Sequence, residues 1–288
     1  MDSVRVGNTY PKTLSSIQSS SGAAGAWAII LNVDSVANIA VNDFCLVPYN
    51  VSGGTRPETL CGCWIVTNVD AVNTRITVTS THRYTSAPSG AVAGTLTIVK
   101  TILYYNGVNG IVLTSRNNLG LLNKLVLLGN GTSYGISLDT GASLIGGTSL
   151  GISAFAYGVL CQSHAHIESD QIKISNCGTF GVRVYYATAR MAYSVVSGNT
   201  TAGISLSASK GEFSTSVCSG NGTTGFGTSG SAHAGIYAGQ STYNTLFGFY
   251  VESNSFIDAR TSTATGSGTT YSPAIDTVGN VQAFIWFT

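Results

Sequence analysis

The chain alternates short apolar runs with polar turns along most of its length. In residues 101–271, runs of four to six residues with every second position apolar are separated by Gly, Asn, Ser and Thr. Alternation with a period of two is typical of β-strands that bury one face, and no stretch has the period of an amphipathic helix. The pattern therefore predicts an all-β protein built from many short strands.

Two markers recur in this region at nearly constant spacing. The first is a serine every 22 residues, at Ser175, Ser197, Ser219 and Ser241. The second is a glycine before a short apolar strand, at Gly110, Gly135, Gly158, Gly181, Gly203, Gly225 and Gly248. A unit this short cannot bury an apolar face alone, whereas stacked units form a continuous core. The repeat predicts a parallel β-helix, which is a β-solenoid, with coils of about 22 residues.

The spacing also predicts which residues lie above one another in successive coils. Residues one period apart should form ladders, because each coil pairs its backbone with its neighbours. The expected inward ladder is Ile174, Val196 and Cys218, and the expected outward ladder of alternating charge is Glu168, Arg190 and Glu212.

The rest of the chain lacks the repeat. Residues 26–100 contain alternating strands without the marker, and they are predicted to form a small β-subdomain that caps the solenoid at residues 101–278. Residues 1–25 are predicted to be a stem or lead-in segment. The apolar residues 279–288 are predicted to form a strand that either folds over the last coil or is covered by partner chains.

Composition narrows the functional classes. Charged residues are only 9% of the chain while apolar residues are 43%, which argues against disorder. The net charge of +1 without a basic cluster argues against a nucleic-acid partner. No apolar window is long enough for membrane insertion, the N-terminus lacks an ordinary secretory signal, and no cofactor is expected. The six cysteines have no zinc-site spacing and are predicted to be buried thiols.

The sequence resembles a known family. The 22-residue coils, the Ser-Gly-Asn-x-x-x-Gly-Ile cadence at 197–204 and the segment 269–273 are similar to the pectate-lyase-like, right-handed parallel β-helices of phage and prophage tail fibres and tailspikes. The resemblance covers residues 101–271. It implies a homotrimer made in the host cytoplasm and assembled with other tail or baseplate proteins into the virion tail, where it contacts host surface polysaccharide. It also implies that residues 279–288 contribute a trimer contact.

Candidate catalytic residues are few. Polysaccharide-cleaving enzymes use paired carboxylates, and the candidates here are Glu168, Asp170, Glu252 and Asp258. His164 and His166 alternate with Glu168 and Asp170 on one predicted outward face, so the two histidines are weak candidates for a metal site. Solvent-facing polar residues of a solenoid need no function, and this interpretation is favoured.

Two tyrosine pairs are candidates for glycan binding. A tyrosine ring can pack against the apolar face of a pyranose, and one ring of each pair must point outward if both residues lie on a strand. The pairs are Tyr104 with Tyr105 and Tyr185 with Tyr186. The same outward rings could instead pack against neighbouring chains.

Three functional hypotheses follow. The favoured one is a trimeric structural and receptor-binding protein that contacts host polysaccharide. The first alternative is a polysaccharide depolymerase, hydrolase or lyase, on the same scaffold. The second is a cellular β-solenoid adhesin. Whether the chain is an enzyme is not decided by its residues.

Overall fold

The computed structural model describes residues 3–83, 88–120, 122–146, 149–265 and 284–286. Its long repetitive part consists of three sheets in which successive coils pair in parallel. We name the nine-stranded sheet A, the seven-stranded sheet B and the eight-stranded sheet C. The predicted fold class is confirmed, since the chain forms a parallel β-solenoid of about seven turns.

Each turn contributes one strand to each sheet, in the order A, B, C. Sheet A contains Ser3–Arg5, Ile102–Tyr104, Leu125–Leu128, Leu150–Ser153, Lys173–Ser175, Val195–Ser197, Val217–Ser219, Gln240–Thr242 and Thr263–Thr265. Sheet B contains Ile111–Leu113, Tyr134–Leu138, Tyr157–Gln162, Phe180–Tyr185, Ala202–Ser207, Thr224–Ser229 and Phe247–Val251. Sheet C contains Asn118–Gly120, Ser143–Gly146, His166–Asp170, Thr188–Ala192, Lys210–Ser214, His233–Tyr237, Phe256–Asp258 and Phe284–Trp286.

The predicted ladders are present in the strand registers. The inward ladder is confirmed, because Ile174 pairs with Val196 and Val196 with Cys218, and all three are fully buried. The outward charged ladder is also confirmed, with Arg190 paired to the residues one coil before and one coil after it.

The serine series holds for three members and fails for the fourth. Ser175, Ser197 and Ser219 are stacked, but Ser219 pairs with Thr242, so Ser241 lies over Cys218 instead. The cause is one extra residue in the connection from sheet B to sheet C. Before it the register spacing is 22 residues, and after it, from Lys210 to His233, the spacing is 23.

The recurrent glycines form a column where each coil enters sheet B. A Cβ atom built on Gly158 would lie 2.6 Å from the carbonyl oxygen of Gly181, and one on Gly203 would lie 2.7 Å from that of Gly225. These distances are too short for any side chain. Glycine recurs here because adjacent coils approach most closely at this corner.

A buried asparagine ladder supports the corner between sheets A and B. Asn199 donates its backbone N–H to Asn221 Oδ1 at 3.1 Å, and Asn221 donates its own to Asn244 Oδ1 at 3.0 Å. All three side chains are fully buried. They satisfy backbone groups that the turn leaves unpaired inside the core.

The N-terminal part of the chain forms a closed six-stranded antiparallel barrel. Its strands are Thr9–Ala23, Ala26–Val33, Phe44–Val47, Gly62–Asp70, Arg75–Ser80 and Gly94–Val99, with a short 3-10 helix at Pro57–Thr59. The barrel differs from the expected organisation because Thr9–Ala23, assigned to a lead-in, is its longest strand. The polar outward positions of that strand alternate with buried residues such as Leu14 and Ile17.

The barrel lies beside the solenoid rather than over its end. Gly62–Asp70 contacts the sheet A strands of the third, fourth and fifth turns. At the first turn, the short strand Ser3–Arg5 pairs antiparallel with Ile102–Tyr104 and so covers the edge of sheet A. The capping role expected of the subdomain is therefore filled by three N-terminal residues.

The stacked serines form the seam between barrel and solenoid. Ser175 Oγ accepts a hydrogen bond from the Cys63 N–H at 3.0 Å, and Ser197 Oγ donates to the Cys61 carbonyl at 2.6 Å. Ser219 Oγ donates to the Glu58 carbonyl at 2.7 Å. The most regular marker of the repeat thus binds the barrel.

The remaining calls concern the two ends of the sequence and its cysteines. Phe284–Trp286 pairs in parallel with Phe256–Asp258, while the other residues of 266–283 and 287–288, including segment 269–273, lie outside the described residues. The six cysteines are unpaired and buried, as predicted. Within the described ranges, no helix has the length and hydrophobicity of a membrane span.

Candidate functional site

The outward face of sheet C carries a groove that crosses several coils. Its volume is about 390 Å³, and we name it the lateral groove. It is lined by His166, Thr188, Ala189, Arg190, Lys210, Gly211, Glu212, His233, Gly235 and Tyr237. A cleft of about 500 Å³ at the corner between sheets B and C adjoins it through Thr188 and Lys210 and also contains His164 and Tyr186.

Two outward columns of stacked residues build the lateral groove. The first runs from His166 through Thr188 and Lys210 to His233. The second runs from Glu168 through Arg190, Glu212 and Gly235 to Asp258. Because the coils repeat about every 4.8 Å, each column presents a new polar side chain at that interval along the solenoid axis.

Ion pairs and hydrogen bonds organise the first coils of the groove. Arg190 Nη1 lies 2.6 Å from Glu168 Oε1, and His166 Nδ1 lies 2.8 Å from Thr188 Oγ1. His166 Nε2 is 4.0 Å from Glu168 Oε2. Glu168 is therefore already engaged by a cation, which favours its ionised form over that of a proton donor.

A tyrosine ring lies flat over a glycine at the other end of the groove. A Cβ atom on Gly235 would be 2.9 Å from Tyr237 Oη and 3.1 Å from its ring carbons, so only glycine leaves room for the ring. The guanidinium of Arg260 lies 5.3 Å from the ring centroid. Asp258 holds that guanidinium through two oxygens, at 2.9 and 3.0 Å from Arg260 Nε.

Tyr185 and Tyr186 occupy the corner between sheets B and C. Their rings meet edge to face with centroids 4.4 Å apart, and their exposed fractions are 43% and 52%. A hydrogen bond with Tyr186 raises the pKa of the Tyr185 hydroxyl. The backbone carbonyl of Tyr186 accepts a hydrogen bond from the His164 N–H at 2.6 Å, so the corner residues of adjacent coils are stacked.

The other predicted tyrosine pair lies elsewhere. Tyr105 is buried in the solenoid core, where its ring is 6.2 Å from that of Phe155. Tyr104 lies in sheet A and packs against a cluster at the junction with the barrel. Neither ring reaches the lateral groove or the corner cleft.

The four candidate acids do not converge. Glu168 and Asp170 lie on one strand, and Asp258 belongs to the same column as Glu168 but four coil steps away. Glu252 lies at the end of sheet B, where its carboxylate accepts a hydrogen bond from the Tyr250 hydroxyl. Any acid pair of the groove has to use a residue outside this set.

His164 and His166 line different clefts, which separates the two weak metal candidates. His164 has a positive φ of 65° and lies in the turn before the strand, whereas His166 lies on it. In the described part of the chain, no three His, Cys, Asp or Glu residues are grouped as metal ligands.

A second, smaller groove of about 230 Å³ lies on the outward face of sheet B. Small residues such as Ala202, Ser205 and Gly227 form its floor. A ladder of Tyr134, Tyr157 and Phe180 leads to one end, with centroids 5.3 and 5.6 Å apart. At the other end Tyr250 lies 5.2 Å from Phe247.

Lys210, Glu212, His233 and Tyr237 were not among the predicted site residues. The signal that would identify them is the register itself, because they follow His166 and Arg190 one, two or three coils later. Applying the 22-residue period to the histidine cluster reaches Lys210, but the added residue at the sixth turn conceals His233 and Tyr237.

Comparisons with known proteins give one structural similarity. The tailspike protein gp49 from Pseudomonas phage LKA1 is similar with a TM-score of 0.27 and 11% sequence identity, covering 91% of this chain and 61% of that one. This chain thus spans less than two thirds of that tailspike's length. No family model and no curated protein matches the sequence. The fold assignment rests on the strand pairings of the chain itself.

Proposed function

We propose that this chain is the rod of a phage tail fibre or tailspike and binds host surface polysaccharide in the lateral groove. The observation that carries the proposal is the Tyr237 ring, which lies over Gly235 with its exposed fraction at 37%. An exposed aromatic face held by a rigid sheet is suited to the apolar face of a pyranose.

The polar side chains of the groove add hydrogen-bonding capacity around this ring. Lys210, His166 and His233 stand in one column, and Arg190 and Glu212 stand in the next. Cationic donors and a carboxylate acceptor at regular intervals match the repeated hydroxyls of a linear glycan. A rod with such a groove along its axis can bind several successive sugars.

The experiment is a binding screen of the purified chain against immobilised bacterial surface polysaccharides. We expect at least one polysaccharide to bind, and Tyr237→Ala and Lys210→Ala each to weaken that binding about tenfold, because stacking and charged hydrogen bonds contribute roughly 1–2 kcal/mol each. The matched control is Lys124→Ala, which removes an exposed lysine outside the groove. Binding that survives both groove substitutions unchanged would refute the assignment of the groove.

The same proposal includes assembly as a homotrimer with other tail or baseplate proteins. It is supported by exposed apolar side chains on the first turns, Val112 at 50% and Ile145 at 52%, which a neighbouring chain would cover. Sedimentation should give three times the 29.7 kDa chain mass, and a stable monomer would argue for the adhesin alternative.

A depolymerase is the second candidate function. Glu212 and Asp258 flank Gly235 in one column, two coil steps or roughly 9.6 Å apart, near the carboxylate separation of inverting glycosidases. Release of reducing ends from a bound polysaccharide, and its loss in Glu212→Gln, would favour hydrolysis. Binding without any release would leave recognition as the whole function.

A further inference from the structure

A second cleft lies where the barrel meets the solenoid, on the side away from the lateral groove. Its volume is about 270 Å³. The barrel contributes Tyr49, Thr95 and Thr97, and the solenoid contributes Lys173 and Tyr193. No residue of its lining is acidic.

Lys173 is the unusual member of this lining. It lies in sheet A, faces the barrel and is only 5% exposed. Its Nζ donates one hydrogen bond, to the Gln171 carbonyl at 2.6 Å, although an ammonium group has three donors. Within the described residues no carboxylate lies within salt-bridge distance of it.

A buried ammonium group without a counter-charge is costly to a fold. Burial lowers the pKa of Lys173 to about 8, so the group is still mostly charged at neutral pH. Removing an ion from water costs several kcal/mol unless an anion and further hydrogen bonds replace the lost solvation. The barrel supplies neither, since the nearest groups named for this lysine are the thiols of Cys61 and Cys63.

The remaining lining defines which anion would fit. Tyr49 and Tyr193 lie at the cleft with ring centroids 5.3 Å apart, and Tyr193 is 42% exposed. Threonine hydroxyls line the barrel side. Aromatic rings beside hydroxyl groups suit a sugar ring, and the free donors of Lys173 suit a carboxylate on that ring.

We infer that the cleft between barrel and solenoid binds a hexuronate, a sugar unit that carries a carboxylate, with Lys173 as its counter-charge and Tyr49 and Tyr193 as its ring contacts. This site is separate from the lateral groove and does not depend on the function proposed for that groove.

The test is calorimetric titration of the full chain with sodium glucuronate, glucose and sodium acetate. We expect saturable binding of glucuronate at one site, no binding of glucose, and at least about tenfold weaker binding of acetate because it lacks the ring contacts. Equal affinities for acetate and glucuronate would overturn the sugar assignment. Absence of saturable glucuronate binding would overturn the site.

Two variants locate the binding. Lys173→Met should abolish glucuronate binding while the chain keeps its β-sheet circular dichroism, because methionine fills a similar volume without the charge. Lys210→Met is the matched control in the lateral groove and should bind glucuronate like the wild type. If Lys210→Met loses binding and Lys173→Met retains it, glucuronate occupies the lateral groove and the inference is wrong.

A third variant covers the case in which Lys173→Met does not fold. Tyr193→Ala removes an exposed ring at the rim and leaves the buried lysine in place. It should weaken glucuronate at least about tenfold and leave acetate unchanged. An equal loss for both ligands would contradict the ring contact.

Discussion

The outward faces of sheets A and C share one scaffold and carry opposite kinds of residue. On sheet A the outward positions at the middle turns are small or apolar, such as Val195, Ser197 and Ser219, and all are buried by the barrel. On sheet C the equivalent positions are charged or aromatic, such as Arg190 and Lys210, and remain open to solvent.

This difference shows what the repeat records. The serines and glycines that repeat most strictly are those that contact the next coil or the barrel, where the geometry tolerates little change. The outward positions of sheet C vary from coil to coil because solvent imposes no such limit. In this chain regularity therefore marks structure, and the departures from regularity mark the candidate site.

The largest expected effect comes from disturbing the covered face. A Cβ atom on Gly220 would lie 2.4 Å from the Cβ atom of His82 in the barrel, and its φ is +60°. Gly220→Ala should therefore lower the free energy of unfolding by about 3 kcal/mol or more, through backbone strain and the clash together. Urea denaturation followed by circular dichroism measures the loss.

Gly230 is the matched control for this substitution. Its φ is +58°, yet its nearest foreign atom to an added Cβ is Ser207 Oγ at 3.3 Å, on an exposed corner. Gly230→Ala should cost only the backbone strain, about 1 kcal/mol. Equal losses in the two variants would mean that the barrel does not press on the serine seam.

The next effect is the pH dependence of the buried lysine. The pKa of Lys173 is lowered to about 8 in the folded chain from an ordinary 10.5. Between these values the unfolded chain binds more protons, so stability rises with pH there and the cost is fully present below pH 8. Lys173→Met should thus be more stable than the wild type at pH 7, and this advantage should shrink by about 3 kcal/mol by pH 10.5.

Only the difference between the two proteins is informative. Burial raises the pKa of Cys161 and of Cys177 to about 12, so both proteins lose stability as pH rises above the ordinary thiol value of 9. Lys210→Met on the open face of sheet C is the control. A pH-dependent difference of the same size in that variant would show that burial at the seam is not the cause.

Much of the solenoid could be predicted from the sequence. The stacking of Ile174, Val196 and Cys218 follows from a constant period, and the glycine column follows from the need for close approach between coils. The place of Ser241 could not be predicted, because one inserted residue in a turn shifts every later register without changing the local pattern.

The barrel and the site were less accessible to prediction. Alternation in residues 26–100 identified strands, but which face of the solenoid they cover depends on long-range contacts such as that between Ser197 and Cys61. The platform of Tyr237 depends on a glycine two residues earlier and on Arg260 one coil later. No single segment of sequence contains both.

The smallest expected effect is on the open face, at the ion pair of Glu168 and Arg190. Their side chains are 40% and 66% exposed, so water and salt screen an attraction that at 2.6 Å would otherwise be strong. A double-mutant cycle of Glu168→Ala and Arg190→Ala should give a coupling of about 0.5 kcal/mol or less, smaller still in high salt. Ser197→Ala at the seam should cost about 1–3 kcal/mol despite removing a single oxygen, because it leaves the buried Cys61 carbonyl without that donor. If the exposed ion pair proved the stronger of the two, the open face would be stabilising the fold as well as binding, and the separation of roles between sheets A and C would not hold.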